Sequence, residues 1–114
     1  MARSSTTADV FNAVAEESRR RILDSLIAGE KAVGTIVDDV AMSQPQVSKH
    51  LHVLNEVGLV TYRADGRRRL YRLEPGKLQP LLEWLAHYEQ MVNERLYRMD
   101  DYLKDLQQRQ GEAQ

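Results

Sequence analysis

The sequence contains no cysteine. Disulfides, thiolate metal sites and cysteine nucleophiles are therefore excluded, and the composition suits a reducing compartment. No stretch approaches the roughly 18 apolar residues of a membrane span. The opening MARSSTTADV has no apolar run of the kind that directs secretion. A soluble, cytoplasmic chain that does not enter a membrane is expected. A glycine-rich phosphate loop is missing, as is a Ser-His-Asp arrangement in a supporting context, so no enzymatic activity is expected. Internal repeats and low-complexity tracts are absent. So is an excess of one charge: 16 Lys and Arg stand against 17 Asp and Glu, for a net charge of -1.

The balance hides a separation. From Ser43 to Leu73 six basic residues stand against two acidic ones, whereas residues 75–114 carry five basic and seven acidic. Local patches, not totals, set the field that a ligand meets. The length of 114 residues is that of one domain. A domain this small buries roughly two-thirds of its unfolded surface and gains from a partner.

Residues 7–15 read as a first helix, with Val10, Phe11 and Val14 on one face. Ser18 is placed to cap a second helix that carries Ile22, Leu23, Leu26 and Ile27 at helical spacing and ends at Gly29. Ala32 to Val40 gives a third, with Val33, Ile36, Val37 and Val40 on one side, and Ala41-Met42 makes a tight turn. Ser43 and Gln46 then form an S-x-x-Q capping box. Pro45 lies in the first turn, where its missing N–H is harmless. Val47, Leu51 and Leu54 bury one stripe of this fourth helix, and Gly58 ends it as a left-handed cap. Leu59 to Ala64 is β-rich, Asp65-Gly66 signals a hairpin, and Arg67 to Leu73 returns with Tyr71 and Leu73 on one face. Glu74-Pro75-Gly76 breaks the chain.

The last helix is expected from about Lys77 to Arg109. Leu78, Leu82, Leu85, Tyr88 (with Met91 beside it), Val92, Leu96, Met99, Leu103 and Leu106 repeat at a period near 3.5. At 1.5 Å per residue such a helix spans roughly 50 Å, more than a compact domain covers, so its remaining apolar stripe must meet another chain. The resulting division is a single domain, 1–114, with a core over 7–74, a dimerisation helix over 75–109 and a frayed tail over 110–114. The fold class expected is mainly α: a winged helix-turn-helix with a two-stranded β-wing and a long C-terminal helix.

The fourth helix and the hairpin carry the functional signal. Pro45, Lys49, His52 and Glu56 point away from the apolar stripe, Gln46 and Ser48 flank it, and Gln44 leads at the N-terminus. Gln, Ser and Lys at the tip of a helix match what major-groove edges and phosphates accept; a merely solvated helix face has the same composition. Arg63, Arg67, Arg68 and Arg69 load the hairpin, where they either grip phosphate or keep an edge strand from aggregating. Arg19, Arg20 and Arg21 oppose the dipole of the helix they open, which a phosphate or the preceding Glu16 and Glu17 could offset. His50 and His52 lie about 200° apart and cannot chelate one ion. His50 reads as packed and hydrogen-bonded, and His52 as outward-facing. Glu83 and His87 at i, i+4 are weak candidates for zinc, with a surface ion pair the commoner use of that spacing.

The run VGTIVDDVAMSQPQVSKHLHVLNEVGLVTYRADGRRRLYRL resembles the ArsR/SmtB family of bacterial winged-helix repressors, most specifically in SQPQVSKHLHVLNEVGLV. FNAVAEESRRRIL is similar to that family's opening helices, and WLAHYEQMVNERLYRMDDYL resembles the branch that lacks metal sites. The resemblance covers residues 9–74 well. It implies a homodimer that represses transcription at a palindromic double-stranded DNA operator. By position, Gln44, Gln46, Ser48, Lys49 and His52 would face the major groove, with Ser43 and Pro45 at the same helix end. Arg67 and Arg68 would sit at the wing tip, flanked by Arg63 and Arg69. The first and last helices, through Val10, Leu78, Leu82, Leu85, Tyr88, Val92, Leu96, Met99 and Leu103, would build the dimer. Four departures stand out. VGTIVDD lacks the cysteine pair of metal-sensing members, and His87 alone remains of their histidine pattern. Ala41 stands where the turn often has glycine, and Glu17 replaces a common proline. No metal or cofactor is expected beyond the weak Glu83–His87 candidates, and no small-molecule ligand is identifiable from the sequence. Zinc response through the last helix, or a winged module that binds protein, are the alternatives.

Overall fold

The computed structural model describes residues 6–113, with side chains described from Val10 to Gly111. Helices α1 (Thr6–Val14), α2 (Glu17–Ser25), α3 (Val33–Val40) and α4 (Gln44–Glu56) are joined by a short strand β1 (Lys31–Ala32) and followed by the hairpin β2 (Val60–Asp65) and β3 (Arg68–Leu73). A 3₁₀ turn (Pro75–Leu78) leads into α5 (Gln79–Ala113). The chain divides into two units, Met1–Leu81 and Leu82–Gln114.

In the first unit, Val10 and Ala13 of α1 meet Ile22 and Leu23 of α2, Ile36 and Val40 of α3, and Val47, Leu51 and Leu54 of α4, closed below by Leu59, Val60 and Tyr71. Each helix contributes one apolar stripe, the condition for a single shared core. Val10, expected at the dimer interface, is 1% exposed and belongs to this core. Leu78, also expected there, packs against the core from the 3₁₀ turn. The Val10 side chain is thus taken up by the core, whereas Leu78 stays partly exposed.

The local expectations for α4 hold. The Ser43 N–H donates to Gln46 Oε1 at 3.1 Å and the Gln46 N–H to Ser43 Oγ at 3.3 Å, and Pro45 occupies the first turn. Gly58 has φ +83, the left-handed value that glycine adopts without a Cβ penalty. The turn before α4 is held by Ala41 at φ 55, whose N–H bonds Val37 O at 2.9 Å.

Other expectations are corrected. Ser18 does not cap α2: Glu16 is the N-cap residue, without a side-chain bond, and α2 stops at Ser25, not near Gly29. Ile27 therefore leaves the helical stripe and is 71% exposed. The sheet has three strands, in the order β1-β3-β2, not two. Lys31 and Ala32 pair with Tyr71 and Leu70, so α3 begins at Val33. The hairpin turn is centred on Gly66-Arg67, since Asp65 still pairs with Arg68; glycine at the first central position is the signature of the tight mirror-image turn. The helix does not fray at Arg109 but continues to Ala113. No described helix is long and apolar enough to cross a membrane.

Arg19, Arg20 and Arg21 also find a structural use. Arg19 Nε donates to Ala13 O at 2.7 Å and its Nη2 to Asn12 O, while Arg20 Nη1 donates to Val14 O at 2.8 Å and Ala15 O at 3.1 Å. Together they satisfy the orphan carbonyls that end α1. Arg21 donates to Val40 O at the end of α3. Cations unfavourable at the start of their own helix thus sit at the negative ends of two others, where the dipole favours them.

Candidate nucleic-acid interface

The capping box exposes the first turns of α4. Ser43, Gln44, Pro45, Gln46, Ser48, Lys49 and His52 are all solvent-exposed, as are Arg63, Arg67, Arg68 and Arg69 of the wing. Gln44, Ser48, His52 and Asn55 of α4 face Tyr62, Tyr71 and Arg67–Arg69 of the hairpin across an open cleft of about 830 Å³. The sequence reading did not anticipate Tyr62 or Asn55 here. Tyr62 shares a face with Tyr71 because the two are directly paired in register. Asn55 is engaged by the fold, its Nδ2 donating to Val60 O at 3.0 Å.

Strand alternation sorts the wing cations. Ala64 pairs with Arg69 and Tyr62 with Tyr71, so Tyr62, Arg69 and Tyr71 lie on one face, and Thr61, Arg63 and Arg72 on the other. Arg63, expected beside the other wing arginines, is turned away from the cleft and forks onto Glu30, with Nη2 2.6 Å from Oε1. This hydrogen bond and the guanidinium charge hold the Glu30 carboxyl below its usual range, and the carboxylate in turn raises Arg63. Arg72 pairs with Glu74 at 3.0 Å. Hydrogen bonding from the Thr61 hydroxyl, then from Arg72, lowers the Glu74 carboxyl. Arg68 reaches back to Asp65 at 3.1 Å across the turn. Arg67 and Arg69 have no carboxylate partner among the described residues. Arg69 instead lies over the Tyr62 ring, 4.4 Å from its centroid.

The histidines diverge. His52 faces outward, 3.0 Å from Glu56. His50 is packed but not hydrogen-bonded as expected: Nδ1 is buried without a partner among the described residues, and Nε2 lies 3.8 Å from Glu16. His87 Nδ1 is 3.2 Å from Trp84 O, one turn back on its own helix. Among the described residues no group of three or more potential metal ligands assembles.

In the second unit, Leu82, Leu85, Tyr88, Val92, Leu96, Met99 and Leu103 are all exposed, each by about half or more. Trp84 packs edge-on against Tyr88 at 5.5 Å. Leu82, Leu85, Tyr88 and Val92 line a shallow groove of about 340 Å³ on the helix surface.

Comparison with known proteins gives one consistent answer. A family model described as bacterial regulatory protein, arsR family, matches residues 16–62. The HTH-type transcriptional regulator Rv2034 of Mycobacterium tuberculosis is 42% identical over 71 residues, covering 62% of this chain and 66% of that protein. The transcriptional repressor SdpR of Bacillus subtilis is 30% identical over 80 residues, covering 70% of this chain and 89% of that protein. Among solved structures, an ArsR-like transcriptional regulator from Rhodococcus sp. RHA1 superposes with a TM-score of 0.65 at 26% identity, over 82% of this chain and 89% of that one. The homodimeric winged helix-turn-helix DNA-binding domain of a possible ArsR-family regulator from Mycobacterium bovis matches with a TM-score of 0.61 at 31% identity, over 77% and 92%.

Proposed function

Because the chain belongs to the arsR family of bacterial regulatory proteins, we propose that it is a homodimeric repressor that binds a palindromic operator in duplex DNA and does not respond to metal. The family is one of transcriptional regulators, so the chain is not an enzyme. The observation that carries the reading is the cleft where the exposed start of α4 faces the wing arginines. Polar side chains suited to base edges and cations suited to phosphate stand on the two walls of one groove. Gln44, Gln46, Ser48, Lys49 and His52 read the major groove from α4. Arg67 and Arg69 supply the salt-dependent share of affinity.

Dimerisation is supported by α5, whose exposed apolar side chains repeat along the helix; a stripe of this kind is more than a lone soluble chain ordinarily leaves in water. Metal independence is supported by the donor set. Among the described residues Glu83 and His87 are joined by no third potential ligand, and the chain has no cysteine to add one. Enrichment and sequencing of genomic fragments bound by the purified protein tests the whole reading. The expected product is a two-fold symmetric motif with half-sites about one helical turn apart; an asymmetric motif, or no enrichment, overturns it. Zinc titration by calorimetry is expected to give no stoichiometric binding, and a saturating heat would reinstate the Glu83–His87 site.

A further inference from the structure

The wing holds five arginines within ten residues, Arg63 to Arg72, yet they are not equivalent. Arg63, Arg68 and Arg72 are each held by a carboxylate. Arg69 is held by aromatic rings. Its guanidinium stands 4.4 Å above the centre of Tyr62, and Tyr62 leans on Tyr71 at 5.2 Å with the rings inclined by 49°. Tyr71 is only 8% exposed, so it forms a fixed floor, while Tyr62 is half out of the surface. Hydrogen bonding with Tyr71 first, and then the neighbouring Tyr62 and Tyr71, raise Arg69 above its ordinary value. The three side chains border the cleft opposite Ser48 and His52.

A carboxylate partner neutralises an arginine and must be displaced before a phosphate can take its place. An aromatic partner restrains the guanidinium without cancelling its charge. We infer that Tyr62 is a positioning residue, holding Arg69 ready in the cleft as a preordered contact for a DNA phosphate. The inference rests on the duplex-binding reading above. Preordering saves the cost of immobilising a side chain rich in rotamers when the ligand arrives.

The test has a readout without DNA and one with it. In the free protein, the ring current of Tyr62 is expected to shift the Arg69 side-chain NMR signals, and Tyr62→Leu to return them to ordinary positions while Tyr62→Phe keeps the shift. Unshifted Arg69 signals in the parent protein overturn the inference whatever the DNA result. With a mixed-sequence 30-bp duplex, Arg69→Ala is expected to reduce the salt slope by about 0.9 per protomer. Tyr62→Leu is expected to weaken binding about two- to five-fold per protomer, the equivalent of an exposed cation–π contact, and Tyr62→Phe to bind like the parent. In an Arg69→Ala background, Tyr62→Leu is expected to add nothing. An undiminished effect of Tyr62→Leu in that background overturns the inference while leaving duplex binding intact. A parent protein that retains the ring-current shift but binds no duplex overturns the functional reading, and the phosphate role of Arg69 with it. Thermal melts of each variant separate these effects from unfolding.

Discussion

Ala41 occupies the left-handed region at φ 55, where a Cβ costs about 1–2 kcal/mol. Ala41→Gly removes that strain but adds freedom to the unfolded chain, which offsets part of the gain. The expected result is a net stabilisation of about 0.5–1 kcal/mol, read from the urea midpoint at unchanged m; a lower midpoint contradicts the strain argument. Glu30 yields a prediction of a different kind. Its folded carboxyl lies below the ordinary value of 4.5 because Arg63 hydrogen-bonds it. A lowered acid stabilises the fold above its unfolded value, and that contribution is lost as pH falls through the folded one. Glu30→Gln is therefore expected to lower the melting temperature at neutral pH and to match the parent once both are well below pH 4.5. The difference is expected to be small, because the pair lies at the surface. A gap that persists in acid places the effect elsewhere than in the ion pair.

At the scale of elements, α4 depends on its start. Ser43→Ala removes one arm of the capping box and is expected to destabilise by about 1 kcal/mol, measured by chemical denaturation, with DNA affinity falling as the first turn loosens. An unchanged midpoint would show that Pro45 and the core stripe suffice. This helix was legible in the sequence because its determinants are local: a cap, a proline and an apolar stripe within a dozen residues. Strand β1 was not, since two residues make a strand only when Tyr71 and Leu70 arrive from forty residues away. Ile27 misled because its spacing continues a helix that ends at Ser25. The candidate cleft was half legible. Its α4 wall followed from helical periodicity, and its arginines from composition. The diversion of Arg63 to Glu30 and the seat of Arg69 on Tyr62 depend on strand register and on the Gly66-Arg67 turn.

For the molecule as a whole, α5 is the unfinished surface. Leu82, Leu85, Val92, Leu96, Met99 and Leu103 follow alternating steps of three and four except where Glu89 stands between Leu85 and Val92; a polar residue at such a position fixes register at a cost in stability. If a second copy covers this face, Leu96→Asp removes an apolar side chain worth about 1.5–3 kcal/mol. It is then expected to weaken dimerisation by tenfold or more, seen as a shift toward monomer in sedimentation; an unchanged dimer would move the interface off α5. The same view of the whole sets two identical tripeptides apart. Arg19-Arg20-Arg21 and Arg67-Arg68-Arg69 read alike, yet the first is bonded to the carbonyl ends of α1 and α3 and the second opens toward solvent. Alanine scanning that scores operon repression alone would count both as recognition residues, whereas a heating curve responds to the first triplet and an ionic-strength titration to the second.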